Sequence, residues 1–232
     1  MYRINPLVSL LAALAFAGAV VAEDNTTPDT LEDLRLVDKT RDSEIYADPS
    51  VDWSVYSEIL LDPATVAFRK NWERDQNRMN SFKIRASDME RIRSELARLF
   101  DDVFSRELTE KGGYVLASQA GDNVLQITPA IIDLDVYAPD SRSQPGITRS
   151  YTKQAGRMTL RLEMYDSVTG ALIATARDRQ QAPYRGYMEW TTSVTNRRDA
   201  KQMLERWAEE LRKGLDRARR SGIEVKNPDG SD

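Results

Sequence analysis

Three aspartates have a spacing that could support catalysis. Asp133 and Asp135 lie two residues apart in an apolar segment, and Asp166 ends a later one. Because side chains two residues apart on a strand project from the same face, the first two carboxylates would lie about 7 Å apart. Carboxylates at such a separation can hydrolyse a glycosidic bond or bind calcium. The sequence therefore offers a carboxylate cluster as an alternative, glycan-active site.

The same aspartates also have a purely structural interpretation. Arg157 and Arg161 lie in the segment that ends at Asp166, and opposite charges commonly pair on the solvent face of neighbouring strands. Nothing in the spacing indicates a buried carboxyl group, which a general acid with a raised pKa would require. We favour this structural interpretation and expect no catalytic residue.

The residue types that the chain lacks narrow the chemistry further. Its 232 residues include no histidine and no cysteine. This excludes disulfides, cysteine nucleophiles, Ser-His-Asp triads and zinc sites built on imidazole or thiolate. No glycine-rich phosphate loop with its lysine is present either. We expect no enzyme, no cofactor and no bound metal, and the net charge of −4 argues against a nucleic-acid partner.

Residues 182–190 (APYRGYMEW) are the best candidate for a binding surface. They combine Tyr184, Tyr187 and Trp190 with Arg185, and aromatic rings beside an arginine are typical of protein hot spots and sugar-stacking sites. The simpler alternative is that these rings cover a sheet edge. A second candidate is the long connection over 138–153, which could hold a small ligand against the sheet.

Hydrophobic periodicity predicts the elements that position these residues. Apolar residues at three-to-four spacing predict two long helices, at about 88–109 and 197–220. Alternating patterns predict strands between and before them, and the longest covers 124–136. Its inward parity changes along its length, and we expect a bulge or bend at Pro129.

These elements predict an α+β fold. We expect a single domain over 51–222, with a mainly antiparallel sheet of about four to five strands and two long helices packed on one face. Residues 23–50 have no sustained apolar period and are interpreted as a polar leader. Residues 223–232 form a polar tail.

The first 22 residues predict export. A basic start with Arg3 precedes an apolar run and then small residues ending at Ala22, which is the order of a signal peptide cleaved after that alanine. The apolar run is too short to span a bilayer as a mature helix, and no later segment is suitable. Ala19 stands where a lipoprotein signal would have its lipidated cysteine. We therefore expect a periplasmic protein without a lipid anchor.

Three passages resemble a known bacterial family. They are 56–68 (YSEILLDPATVAF), 113–135 (GYVLASQAGDNVLQITPAIIDLD) and 155–179 (AGRMTLRLEMYDSVTGALIATARDR). Together they resemble the envelope family catalogued as domain of unknown function 3313, over most of residues 46–215. The resemblance implies a small α/β domain of the Gram-negative envelope, and members are usually predicted lipoproteins. It implies no activity and no site residues.

The sequence favours a non-enzymatic accessory or binding protein of the envelope. Its expected partner is another envelope protein, and a homo-oligomer is compatible with the sequence. Two alternatives remain open. One is a glycan- or cell-wall-active protein that uses the carboxylate cluster, and the other is a soluble carrier of a small ligand.

Overall fold

A computed structural model describes residues 33–79, 83–137, 139, 150–187 and 189–222. The predicted signal peptide and the polar tail lie outside these ranges. Within the ranges, the chain forms three α-helices: α1 (Trp72–Met79), α2 (Ala86–Arg106) and α3 (Ser193–Ser221). The strands are β1 (Arg35–Lys39), β2 (Ser43–Ala47), β3 (Glu58–Leu61), β4 (Thr65–Phe68), β5 (Val115–Leu116), β6 (Val124–Val136), β7 (Ser150–Thr152), β8 (Gly156–Asp166), β9 (Leu172–Gln181) and β10 (Glu189–Thr191).

Eight of the strands form one mixed sheet. Its order is β1-β2-β9-β8-β6-β3-β5, and β4 also pairs with β6. Along the order β1-β2-β9-β8-β6, every neighbouring pair is antiparallel. On the side of β6 away from β8, β3 and β4 follow one another and run parallel to β6. β7 and β10 form a separate antiparallel pair.

The expected antiparallel sheet of four to five strands was therefore wrong, although the chain is α+β overall. The connection through α1 and α2 is long enough to return the chain in the same direction, which parallel pairing requires. Strand periodicity reports which side chains are buried and carries no information about pairing direction. The sheet is also larger because β1 and β2 join it.

The β1–β2 hairpin lies within the predicted polar leader. β2 pairs with β9 along its whole length, from Ser43 opposite Asp178 to Ala47 opposite Ala174, and Ala47 is buried. Charged residues are normal on an edge hairpin because only one of its faces needs to be apolar. The domain therefore begins well before residue 51.

One hydrophobic core joins α2 and α3 to the sheet. Phe100 and Phe104 of α2 are fully buried, with ring centroids 3.8 Å apart. On α3, Leu204 and Trp207 face the same core. The inward row of β8, Met158, Leu160, Leu162 and Met164, completes the core. No helix in the described ranges has both the length and the apolar composition needed to cross a membrane.

The change of parity in β6 lies at Asp133 and not at Pro129. The pairing with β8 skips between Ile132 and Asp135, and Asp133 has a φ of +53°. Pro129 stays in register opposite Leu162. A proline is tolerated at this position because β3 pairs with β6 only as far as Ile127 and β4 pairs with it only from Ala130, so Pro129 pairs with neither strand. The bulge turns Leu134 and Val136 toward the core.

Candidate functional site

A small pocket lies at the end of the domain where β6 finishes and β8 and α3 begin. We call it the α2–α3 pocket, and its volume is about 110 Å³. Half-buried and exposed residues such as Ile92 and Arg197 stand among its lining, so it reaches the surface. Aliphatic side chains line its interior: Leu96, Leu99, Leu134, Met158 and Met203.

Local sequence patterns explain how these side chains converge. Leu96 and Leu99 lie three residues apart and therefore share one face of α2. Met158 belongs to the inward row of β8. The bulge at Asp133 gives Leu134 its inward orientation, because an extra residue in a strand reverses the side-chain alternation beyond it.

Asp135 is one of the lining residues, and two arginines compensate its charge. One of its oxygens lies 3.0 Å from Arg157 Nη2 and 3.2 Å from Arg69 Nε, and the side chain is only 7% exposed. Arg69 also donates to Asp75 at 3.0 Å, and this hydrogen bond raises the pKa of Arg69. Asp135 therefore anchors the chain after β4 and the start of β8 to the end of β6.

The structure does not bring the three predicted aspartates together. Asp133 is exposed at the bulge, whereas Asp135 is buried. Asp166 pairs with Leu125 at the other end of β6, about 30 Å from Asp135 by strand rise. Its carboxylate accepts hydrogen bonds from Tyr56 Oη at 3.0 Å and from the Thr169 backbone N–H at 2.8 Å. Glycosidase carboxyl groups lie about 5–9.5 Å apart, so these residues do not form that site.

The separation has a simple topological cause. Asp135 lies one residue before the end of β6, Asp166 ends β8, and these two strands are antiparallel. Residues at the carboxyl ends of antiparallel neighbours lie at opposite ends of the sheet. Across the described ranges, no three acidic side chains are placed to hold a metal ion.

The predicted binding segment at 182–190 divides into two parts. Tyr184 and Tyr187 are 68% and 66% exposed. Arg185 is instead bound through both terminal nitrogens to the buried carboxylate of Asp199, at 2.8 and 2.5 Å. The backbone of Trp190 lies in β10, and its side chain is outside the described part of the structure. The tyrosines are thus available to a partner, whereas Arg185 holds the crossover to α3.

The exposed tyrosines belong to the same end of the domain as the pocket. The backbone of Ala182 donates to Gly156, a pocket residue, at 2.9 Å. Arg185 N–H donates to the carbonyl of Lys153 at 2.7 Å, and Lys153 Nζ lies 5.9 Å from the centroid of the Tyr184 ring. The segment therefore runs beside the pocket lining.

Neither the pocket nor the role of Asp199 was predicted from the sequence. The pocket depends on four elements that are distant in sequence, so no local pattern predicts it. The burial of Asp199, in contrast, could have been inferred from its position in the sequence. Asp199 is an acidic residue next to Ala200 in the apolar stripe of α3, and a buried acid usually has a cationic partner.

Solved structures resemble the chain only at low similarity. The PelC dodecamer from Paraburkholderia phytofirmans is 8% identical over 72% of this chain and 96% of that one, with a TM-score of 0.32. Protein XCC0632 from Xanthomonas campestris, of family DUF330, is 14% identical over 68% and 83%, with a TM-score of 0.34. A PDZ domain protein from Parabacteroides distasonis is 10% identical over 78% and 38%, with a TM-score of 0.38. None of these similarities is strong enough to support an argument about assembly or function.

A clear relationship comes from the family comparison. No curated protein matches the chain significantly. One family profile, in contrast, matches residues 27–211, which is most of the chain and includes the β1–β2 hairpin. This confirms the resemblance seen in the three sequence passages. The chain belongs to the family described as Protein of unknown function (DUF3313).

Proposed function

We propose that this chain is an exported, non-enzymatic binding protein of the bacterial envelope. It contacts a protein partner through the end of the domain that contains the α2–α3 pocket. The observation that carries the proposal is the combination of an apolar pocket with two exposed tyrosines, Tyr184 and Tyr187, on the adjoining segment. Aromatic anchors around a small desolvated pocket are typical of protein-binding hot spots. The signal-like pattern of residues 1–22 supports export to the periplasm.

The size of the pocket favours a protein partner over a carried small molecule. Sites for complete drug-sized ligands have volumes of about 300–1,000 Å³. The α2–α3 pocket has about 110 Å³, which is too little to enclose such a ligand. The wide separation of Asp135 and Asp166 likewise favours binding over glycan hydrolysis.

Site-specific crosslinking in intact cells tests the binding surface. A photoreactive phenylalanine is placed at Tyr187 in the tagged full-length protein, and at Val168 as a control. Val168 is 56% exposed in the turn after β8, at the other end of that strand from the pocket. We expect one dominant envelope protein to be captured from position 187 and not from position 168. Equal capture from both positions, or none from 187, would contradict the proposal, and capture of a second copy of the chain would show self-association.

A paired substitution separates binding from folding. Because both tyrosines are mostly exposed, the double variant Tyr184→Ala/Tyr187→Ala should change the thermal midpoint little. It should nevertheless reduce capture through a crosslinker at Lys153, which is also exposed. Unchanged capture by the folded double variant would show that the tyrosines are not part of the interface.

Cell fractionation tests the location. We expect the mature protein in the periplasmic extract, with Glu23 as its first residue by N-terminal sequencing. Recovery in the cytoplasm with residues 1–22 still attached would contradict export.

A further inference from the structure

We infer that the α2–α3 pocket receives one apolar side chain of the partner protein, and that Arg197 at its rim pairs with a carboxylate beside that side chain. This inference rests on the proposed function and specifies the chemistry of the partner segment. Three properties of the pocket lead to it: its lining, its volume and the charge of its rim.

The lining requires an apolar occupant. Leu96, Leu99 and Met158 are buried core residues that also face the pocket. The two acidic residues of the lining already have arginine partners, because Asp135 pairs with Arg69 and Arg157 and Glu95 pairs with Arg91. A polar group entering the pocket would therefore lose its hydration without gaining a hydrogen-bond partner from the aliphatic walls.

The volume limits the occupant to a single side chain. An engineered apolar cavity of about 150 Å³ in another protein binds one benzene molecule. At about 110 Å³, the α2–α3 pocket is suited to one group of leucine or similar size. A protein segment that inserts one such side chain must leave its neighbouring residues at the rim.

At the rim of the pocket, the charge of Arg197 is not neutralised by any acidic side chain in the described ranges. Arg157 pairs with Asp135 at 3.0 Å, and Arg91 lies 3.5 Å from Glu95. Arg197 is exposed, and it forms no ion pair with any acidic residue in the described ranges. The complementary group on a partner is an anion within one residue of the apolar anchor.

The start of α3 strengthens this preference. The helix is capped by Thr192, and its first turn contains no acidic residue. The partial positive charge of a helix N-terminus therefore adds to the charge of Arg197 at this side of the pocket. Both contributions favour a carboxylate over an ammonium group beside the anchor.

Methyl NMR on the full mature protein with labelled methionines tests the inference. The probes are three blocked hexapeptides, GSLDSG, GSLKSG and GSSDSG. We expect GSLDSG to shift the methyl signals of Met158 and Met203, which line the pocket, and to leave that of Met164 unchanged. GSLKSG should bind about two- to fivefold more weakly, on the scale of an exposed ion pair. GSSDSG should give no shift.

Two variants identify the role of the rim cation. Arg197→Glu should abolish or reverse the preference for GSLDSG over GSLKSG. Arg220→Glu, at another exposed position in the last turn of the same helix, should leave the preference unchanged. The thermal midpoint of each variant is measured beside the titration, so that loss of binding is not confused with loss of folding.

Several results would overturn the inference. If no leucine peptide shifts Met158 or Met203, the pocket does not accept such an anchor. Equal affinity for GSLDSG and GSLKSG would reject the carboxylate at Arg197. Shifts caused by decanoate alone would assign the pocket to a lipid chain instead. In each case, capture from position 187 in cells would still test the proposed function independently.

Discussion

Arg185 and Asp199 form a bidentate ion pair that ties the β9–α3 crossover to the second turn of α3. The two hydrogen bonds measure 2.8 and 2.5 Å, and the Asp199 side chain is 1% exposed. Arg198 approaches the same carboxylate at 3.4 Å but is half exposed. Arg185 thus has a structural role in the segment whose tyrosines are available for binding.

Removing Arg185 should destabilise the fold strongly. Arg185→Ala leaves a buried carboxylate without its main partner, and such losses cost about 3 kcal/mol or more. Urea unfolding measures the free energy directly. Arg197→Ala, on the exposed face nearby, should leave the free energy of unfolding almost unchanged. A cost below about 0.5 kcal/mol for Arg185→Ala would show that Arg198 or water satisfies the carboxylate.

Gly156, one of the pocket residues, is required by the close approach of β8 to β6. A Cβ atom at this position would lie 2.3 Å from the carbonyl oxygen of Asp135, which is backbone and cannot move aside cheaply. Gly156→Ala should therefore lower the free energy of unfolding by about 1–3 kcal/mol. Gly186→Ala, whose added methyl group would meet no atom within 4 Å, is the matched control in thermal unfolding. Equal midpoints for the two variants would contradict this packing.

Asp166 should stabilise the fold only while it is ionised. The backbone N–H of Thr169 is the main cause of its lowered pKa, and Tyr56 Oη also donates to it. A group whose pKa is lower in the folded state stabilises above its unfolded pKa, near 3.8 here, and loses that effect as the pH falls through the folded value. Asp166→Asn should therefore lower the thermal midpoint at about pH 7, and the difference should shrink toward about pH 3.

The control for this experiment is Asp122→Asn, which changes an exposed carboxylate in a neighbouring loop. It should leave the midpoint the same at both pH values. A deficit of Asp166→Asn that does not depend on pH would show that the side chain's shape matters and its charge does not.

Asp101 should have the opposite pH dependence. Burial raises the pKa of its carboxyl group, and Oδ1 is buried without a hydrogen-bond partner in the described structure. A raised folded-state pKa means that the ionised form opposes folding at neutral pH. Asp101→Asn should therefore raise the thermal midpoint at about pH 7, with the gain disappearing below about pH 4, where the native carboxyl is protonated. A lower midpoint at neutral pH would contradict this assignment.

Several features followed from the sequence by local physics alone. The apolar stripe that contains Phe100 and Phe104 predicted α2, and the alternation of residues 157–166 predicted β8. Both patterns work because a helix or strand presents its side chains with a fixed period, and burial selects one face. The chain also showed its family in three passages, and the exposed tyrosines lie in the segment chosen for binding.

Tertiary structure decided how these elements pair. The β1–β2 hairpin joins the sheet through β9, and β3 and β4 lie parallel to β6, because of contacts between segments far apart in sequence. The bulge at Asp133 turned Leu134 toward the core, and the antiparallel pairing of β6 with β8 placed Asp135 and Asp166 at opposite ends of the sheet. Periodicity could show a change of parity in β6, but only the register with β8 locates it.

In the candidate site too, some features follow from local sequence and others only from tertiary packing. Residue types predicted an aromatic binding segment, and they could not predict that Arg185 would be occupied by Asp199. The α2–α3 pocket exists because α2, β6, β8 and α3 leave a small volume unfilled where their ends meet. Local sequence determines which face of each element is apolar, whereas the shape between elements depends on how all of them pack together.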